Sequence, residues 1–117
     1  MLTVSCEYRL GILFIRLKGD LNINTISKFD KKIISKIKEG GIVNIVLNLT
    51  KLSSIDTKGI YKLLYCYELV NKNNGSIFIC GNNDKINKKI KENHLLNYIS
   101  EISNELTAYK IINMRVI

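Results

Sequence analysis

Eight consecutive residues near the middle of the chain, Ile42-Val43-Asn44-Ile45-Val46-Leu47-Asn48-Leu49, constrain the fold more than any other segment. The run is rich in β-branched side chains and apolar at most positions rather than at alternate ones, the pattern of a strand covered on both faces. Such a strand needs neighbours on either edge and helices packed on the sheet, so an α/β domain is expected with this strand at its centre.

The flanking sequence fits that frame. Leu2 to Tyr8 and Ile12 to Lys18 read as two strands separated by Glu7-Tyr8-Arg9-Leu10-Gly11, and the second alternates Leu13, Ile15, Leu17 with Phe14, Arg16, Lys18, as in an antiparallel hairpin. Gly19 and Asn22 mark a turn, after which Asn24 or Thr25 can cap a helix whose apolar positions Ile26, Phe29, Ile33 and Ile37 recur at helical spacing. Gly40-Gly41 stops that helix. Beyond the central strand, Thr50 to Ile55 reads as a short polar link to Asp56, which caps a helix to about Asn71 with Ile60, Leu63, Leu64 and Tyr67 on one face. Ser76 to Cys80 is a further strand, Gly81 to Asp84 a loop, and Lys85 to Glu92 a lysine-rich helix. Tyr98 to Ile102 reads as a last strand before a terminal helix from about Asn104. The expected order is β-β-α-β-α-β-α-β-α: a mixed sheet of four to five strands, with right-handed parallel crossovers.

At 117 residues the chain has the size of one domain, taken here as residues 1–117. Cys6, Cys66 and Cys80 are widely spaced, with no CxxC pair and only His94 as an imidazole partner, which argues against a zinc site or a disulfide framework. They read as small apolar side chains in a reducing cytoplasm. The longest apolar runs fall far short of a membrane span, and the first residues lack the basic and apolar regions of a signal peptide.

One stretch carries a functional argument. Ile45-Val46-Leu47-Asn48-Leu49, followed by Leu52-Ser53-Ser54-Ile55-Asp56-Thr57-Lys58-Gly59-Ile60, combines a buried strand, a short connection, Asp-Thr-x-Gly and an amphipathic helix. With Leu17-Lys18-Gly19-Asp20-Leu21-Asn22 and Thr25 upstream, and Gly75-Ser76-Ile77-Phe78-Ile79-Cys80 and Leu95-Leu96-Asn97-Tyr98-Ile99 downstream, it resembles the STAS family of anti-sigma-factor antagonists. The resemblance implies a STAS-like fold over the whole chain and a cytoplasmic, non-enzymatic binding module. Such a module docks on an anti-sigma factor, a serine/threonine kinase that itself binds ATP, and so frees a sigma factor by partner switching. It also implies that the phosphoacceptor is the hydroxyl residue after the aspartate, here Thr57, and that a phosphatase can reset it. The partner-binding residues it implies are Asn22, Asn24, Asp56, Lys58 and Gly59. No cofactor or metal of the chain's own is implied.

Phosphorylation at a helix N-terminus adds about −1.5 to −2 charge where the helix end tolerates it and a docked partner does not. Two positions depart from the family's pattern. Lys58 stands where a second hydroxyl residue is usual, so a cation beside the acceptor can pair with a phosphate or repel a basic kinase loop. Asn22 stands where an aspartate is usual, which removes a carboxylate from the first turn. An unphosphorylated STAS-fold scaffold, acting by constitutive protein association, is the alternative.

Lys58, Tyr61, Lys62 and Tyr65 form a stripe at i, i+3, i+4 and i+7, read either as a docking surface or as a solvated edge with tyrosines over the core. The formal charge of +8 permits attraction to nucleic acid. However, Lys28, Lys31, Lys32, Lys36 and Lys38, with Lys85, Lys88, Lys89 and Lys91, come without interleaved aromatics or a recognition motif, and read as solvated helix faces. No nucleophile elbow, phosphate loop or paired histidines point to catalysis.

Overall fold

The computed structural model describes residues 1–116. Five strands, β1 (Leu2–Arg9), β2 (Ile12–Leu21), β3 (Asn44–Ile55), β4 (Ser76–Cys80) and β5 (Ser100–Glu101), form one sheet whose spatial order follows the chain. β1 and β2 are antiparallel, and every later pair is parallel. Leu10 and Gly11 between β1 and β2 both have positive φ, as two-residue hairpin turns that match strand twist require.

The first helix of the sequence is built from α1 (Ile26–Phe29), a π-helical turn (Asp30–Ile34) and α2 (Ser35–Gly40), joined through right-handed helical backbone and ended by Gly41 at φ 64°. Then come α3 (Thr57–Lys72), α4 (Asn87–Glu92), a 3₁₀ turn (Leu95–Asn97) and α5 (Glu105–Val116). The architecture is the expected mixed α/β fold, with β3 in the middle of the sheet.

Both faces of β3 are covered from Asn44 to Leu49, which accounts for the largely apolar run there. On the inner face Ile45, Leu47 and Leu49, with Leu13, Ile15 and Leu17 of β2 and Ile79 of β4, meet Phe29, Ile33 and Ile37 and the α3 residues Ile60, Leu63, Cys66 and Val70. On the outer face Val46 joins Ile12, Phe14, Phe78 and Cys80 beneath Ala108 and Tyr109 of α5. The two asparagines that interrupt the run are both used. Asn44 Nδ2 donates to the Gly11 carbonyl at 3.3 Å, and Asn48 Nδ2 donates to Glu105 Oε2 at 2.8 Å.

Three local readings are corrected. Thr50 to Ile55 is strand, not a link: β3 runs on to Ile55, pairing Lys51 with Lys18, Ser54 with Asp20 and Ile55 with Leu21 through two register shifts. Its polar residues mask the strand because bulges break simple alternation. Gly19 is not in the turn but inside β2 at φ 103°, where a Cβ would run into the Met1 carbonyl oxygen. The last strand is only Ser100–Glu101, since Tyr98 and Ile99 finish the 3₁₀ turn by donating their N–H groups to the Leu95 carbonyl.

Candidate functional site

The Asp-Thr-x-Gly segment lies where β3 ends and α3 begins, beside the turn that follows β2. Asp56 has extended backbone (φ −105°, ψ −178°) and caps α3, its Oδ1 accepting from the Gly59 N–H at 2.8 Å. Its Oδ2 accepts from the Ile23 N–H at 3.1 Å, and its own N–H donates to the Leu21 carbonyl at 3.2 Å. One side chain therefore joins two segments more than thirty positions apart. Gly59 permits the approach: a Cβ there would lie 2.5 Å from the Leu21 carbonyl oxygen and 2.8 Å from Ile55 Cγ1.

The turn itself is held from within. The Thr25 hydroxyl accepts from the Asn22 N–H at 3.0 Å and donates to the Asp20 carbonyl at 2.8 Å, while Asn22 Oδ1 accepts from the Asn24 N–H at 2.9 Å. Thr25 thus stands at the N-cap of α1 but spends its hydroxyl on the preceding turn. Asn22 supplies through its amide the acceptor that an aspartate would supply at this turn.

The structure brings Asn22, Asn24, Asp56, Thr57, Lys58 and Gly59 to one end of the molecule. Thr57 is half-buried, Lys58 and Asn24 are exposed, and Gly59 is buried. Of the α3 stripe, Tyr61 is 56% exposed, one turn beyond Thr57. Lys62 is instead drawn to the first helix, its Nζ lying 2.7 Å from Asp30 Oδ1, and Tyr65 has Lys38 and Lys62 over its ring at 5.5 and 5.4 Å. The stripe divides: Lys58 and Tyr61 face outward, whereas Lys62 and Tyr65 brace α3 against the first helix.

Two residues of the first-turn segment, Gly19 to Thr25, that the sequence does not single out join this end. Ile23 is 60% exposed, an aliphatic side chain standing out of a turn anchored to Asp56. Its sequence signal was an isoleucine between two asparagines. Asp20 accepts from the Ser54 hydroxyl at 2.6 Å, and that bond holds its carboxyl below the usual range. Its signal lies in the turn motif itself, whereas its partner Ser54 reads as part of a polar link in the sequence.

With both Asp56 oxygens spent on backbone donors and Asp20 engaged by Ser54, the exposed charge nearest Thr57 in the chain is the Lys58 ammonium, which enters no ion pair among the described residues. A cation and the positive end of a sixteen-residue helix lie beside a hydroxyl, with exposed Tyr61 one turn on and exposed Ile23 tied through its N–H to Asp56. This suits protein docking and can accommodate an added phosphate. The cysteines lie elsewhere: burial pushes the Cys66 thiol up to about 12 and the Cys80 thiol up to about 11, so both stay protonated.

The family model of the STAS domain matches residues 4–108. An anti-sigma F factor antagonist of Paenibacillus polymyxa is 26% identical over 107 residues, covering 92% of each chain. An anti-sigma factor antagonist from Mycobacterium paratuberculosis superposes with a TM-score of 0.84 at 15% identity, over 97% of this chain and 95% of that one. The unphosphorylated form of SpoIIAA, from Bacillus, superposes with a TM-score of 0.74 at 18% identity, over 98% of this chain and all of that one. No helix among the described residues is long and apolar enough to cross a membrane.

Proposed function

The chain belongs to the STAS domain family, and on that premise we propose that it is an anti-sigma-factor antagonist that docks on an anti-sigma factor kinase and regulates transcription by partner switching. The docking surface is the end bearing Asn22, Ile23 and Asn24 together with Asp56, Thr57, Lys58, Gly59 and Tyr61. Ile23 and Tyr61 supply apolar anchors, and Lys58 calls for a carboxylate on the partner. Lys62 contributes from behind, by fixing α3 to Asp30. In this reading the chain is a cytoplasmic binding module rather than an enzyme, and the ATP belongs to the partner.

The observation that carries the reading is the double use of Asp56, which locks the first turn to the start of α3 and presents Thr57 at their junction. Phosphorylation of Thr57 places negative charge where the helix end and Lys58 tolerate it, so the fold survives while a docked surface is expelled. A phosphatase restores docking. The test is calorimetric titration with an anti-sigma factor kinase encoded by the same genome, with nucleotide, alongside intact-mass measurement. Wild type is expected to bind near one to one and to gain the mass of one phosphate at Thr57. Thr57→Glu should bind at least about tenfold more weakly with an unchanged melting temperature. Equal binding by Thr57→Glu and wild type would remove the switch.

Lys58, in place of a second hydroxyl beside the acceptor, favours one alternative: a scaffold that associates constitutively. Thr57→Ala and wild type would then bind alike with and without ATP, and no phosphate would appear.

A further inference from the structure

The part of the outer sheet face beyond the α5 contacts carries polar and cationic side chains. Two rows cross β1, β2 and β3 side by side: Thr3 pairs with Lys18 and Lys18 with Lys51, while Ser5 pairs with Arg16 and Arg16 with Asn48. Between the rows β3 contains an extra residue relative to β2, and Thr50 and Lys51 line the same depression. That depression is a cavity of about 380 Å³, walled by both rows. Its size is at the lower end of the range used for small-molecule ligands, about 300 to 1,000 Å³.

Its chemistry is one-sided. Arg16 engages the neighbouring carboxylates, with Nε 2.9 Å from Glu105 Oε2 and Nη2 2.7 Å from Glu105 Oε1 and 3.1 Å from Glu7 Oε1. Asn48 adds a further bond to Glu105. Lys18 and Lys51 enter no ion pair among the described residues, yet they are direct partners on adjacent strands, where like charges repel. Among the same residues the hydroxyls of Thr3 and Ser5 donate to no protein group, and Arg16 Nη1 has no hydrogen-bond partner. Donors from three strands therefore converge on a depression whose bordering carboxylates are already used. An anion between the two ammonium groups turns their repulsion into attraction.

We propose that this depression is a binding site for a small oxyanion, a phosphate either free or carried on a small metabolite, held by Lys18 and Lys51 with the hydroxyls of Thr3 and Ser5 and the free edge of Arg16. It stands on a different face from the docking end and goes beyond the function proposed above. Its occupancy relieves the Lys18–Lys51 repulsion, so the bound protein melts at a higher temperature than the free one.

The experiment is an amide NMR titration of the full chain with inorganic phosphate and, separately, with glucose 6-phosphate, each at ionic strength matched with sodium chloride. Saturable shifts concentrated on Thr3, Ser5, Lys18, Thr50 and Lys51, at least about tenfold weaker in Lys18→Gln/Lys51→Gln, are expected. Tighter binding of the sugar phosphate would identify a carried phosphate, and equal or weaker binding a free one. The double variant should melt no lower than wild type without anion, because a like-charge pair has been removed. Non-saturating shifts spread equally over the lysines of the first helix and α4 would overturn the proposal. So would a double variant that binds phosphate as well as wild type.

Discussion

The two faces of the sheet are stabilised differently. The inner face is closed by the first helix, α3, α4 and the 3₁₀ turn, and its buried contacts are aliphatic or aromatic apart from the Cys66 thiol. The outer face has a small apolar patch under one helix, α5, whose first turn is anchored by Glu105 to Arg16 and Asn48. The end proposed for docking belongs to the first face: Gly59 and Asp56 set α3 against β2 from the inner side. The cationic depression belongs to the second. The same strands thus hold a rigid presentation surface at one end and an open polar face on one side, and β3 serves both because its side chains alternate.

The comparison can be broken first at the core. Phe29→Ala, on the inner face at 0% exposure, is expected to cost about 3–5 kcal/mol in urea denaturation. Phe14→Ala on the outer face should fall at or below the low end of that range, because α5 can settle toward the space left beside Tyr109, whose ring lies 5.3 Å from that of Phe14. Equal losses would mean that α5 is as firmly held as the first helix.

Gly59→Ala sharpens the picture at the docking end. The new Cβ meets the Leu21 backbone carbonyl oxygen as well as the Ile55 side chain, and the carbonyl is held in place, so a loss of about 1–3 kcal/mol is expected in the same denaturation assay. Asp56→Ala should cost about 1–2 kcal/mol as a lost helix cap. It should also raise amide exchange at Ile23, because the Ile23 N–H loses its acceptor. A protected Ile23 amide in that variant would mean that the turn stands without Asp56.

The smallest effect is expected at the anchor of α5. The hydrogen bond from Arg16 holds the Glu105 carboxyl below its ordinary value, against the opposing effect of its own burial. A depressed folded-state pKa contributes stability that is present above the unfolded value of about 4.3 and is lost as pH falls through the lower folded value. Glu105→Gln is therefore expected to cost about 1 kcal/mol at pH 7, allowing for the partial exposure of Arg16. As the acid limb is scanned by thermal melting, the difference between variant and wild type should close. A gap that persists well below pH 3 would assign the effect to packing instead of charge.

Much of this was legible in the chain. β1, β2, β4, α3 and the first helix follow from apolar spacing and glycine breaks, and the cap at Asp56 from its place before an amphipathic run. The extension of β3 was not, because Thr50, Lys51, Ser53 and Ser54 read as loop residues until bulges set them against β2. The same error hid the partnership of Asp20 with Ser54. The α3 stripe was visible as spacing, but spacing could not say that Lys62 would find Asp30 while Lys58 would find no counter-charge.

Local sequence by itself determined which segments become strands and helices and which hydroxyl follows the capping aspartate, because periodicity, propensity and capping act within a few residues. Tertiary structure alone decided that Ile23 and Tyr61 stand beside that hydroxyl, that Glu105 spends its charge on Arg16, and that Lys18 faces Lys51. Those outcomes depend on sheet register and on long-range pairing of side chains, which are fixed by the packing of the whole core and carry no local signature.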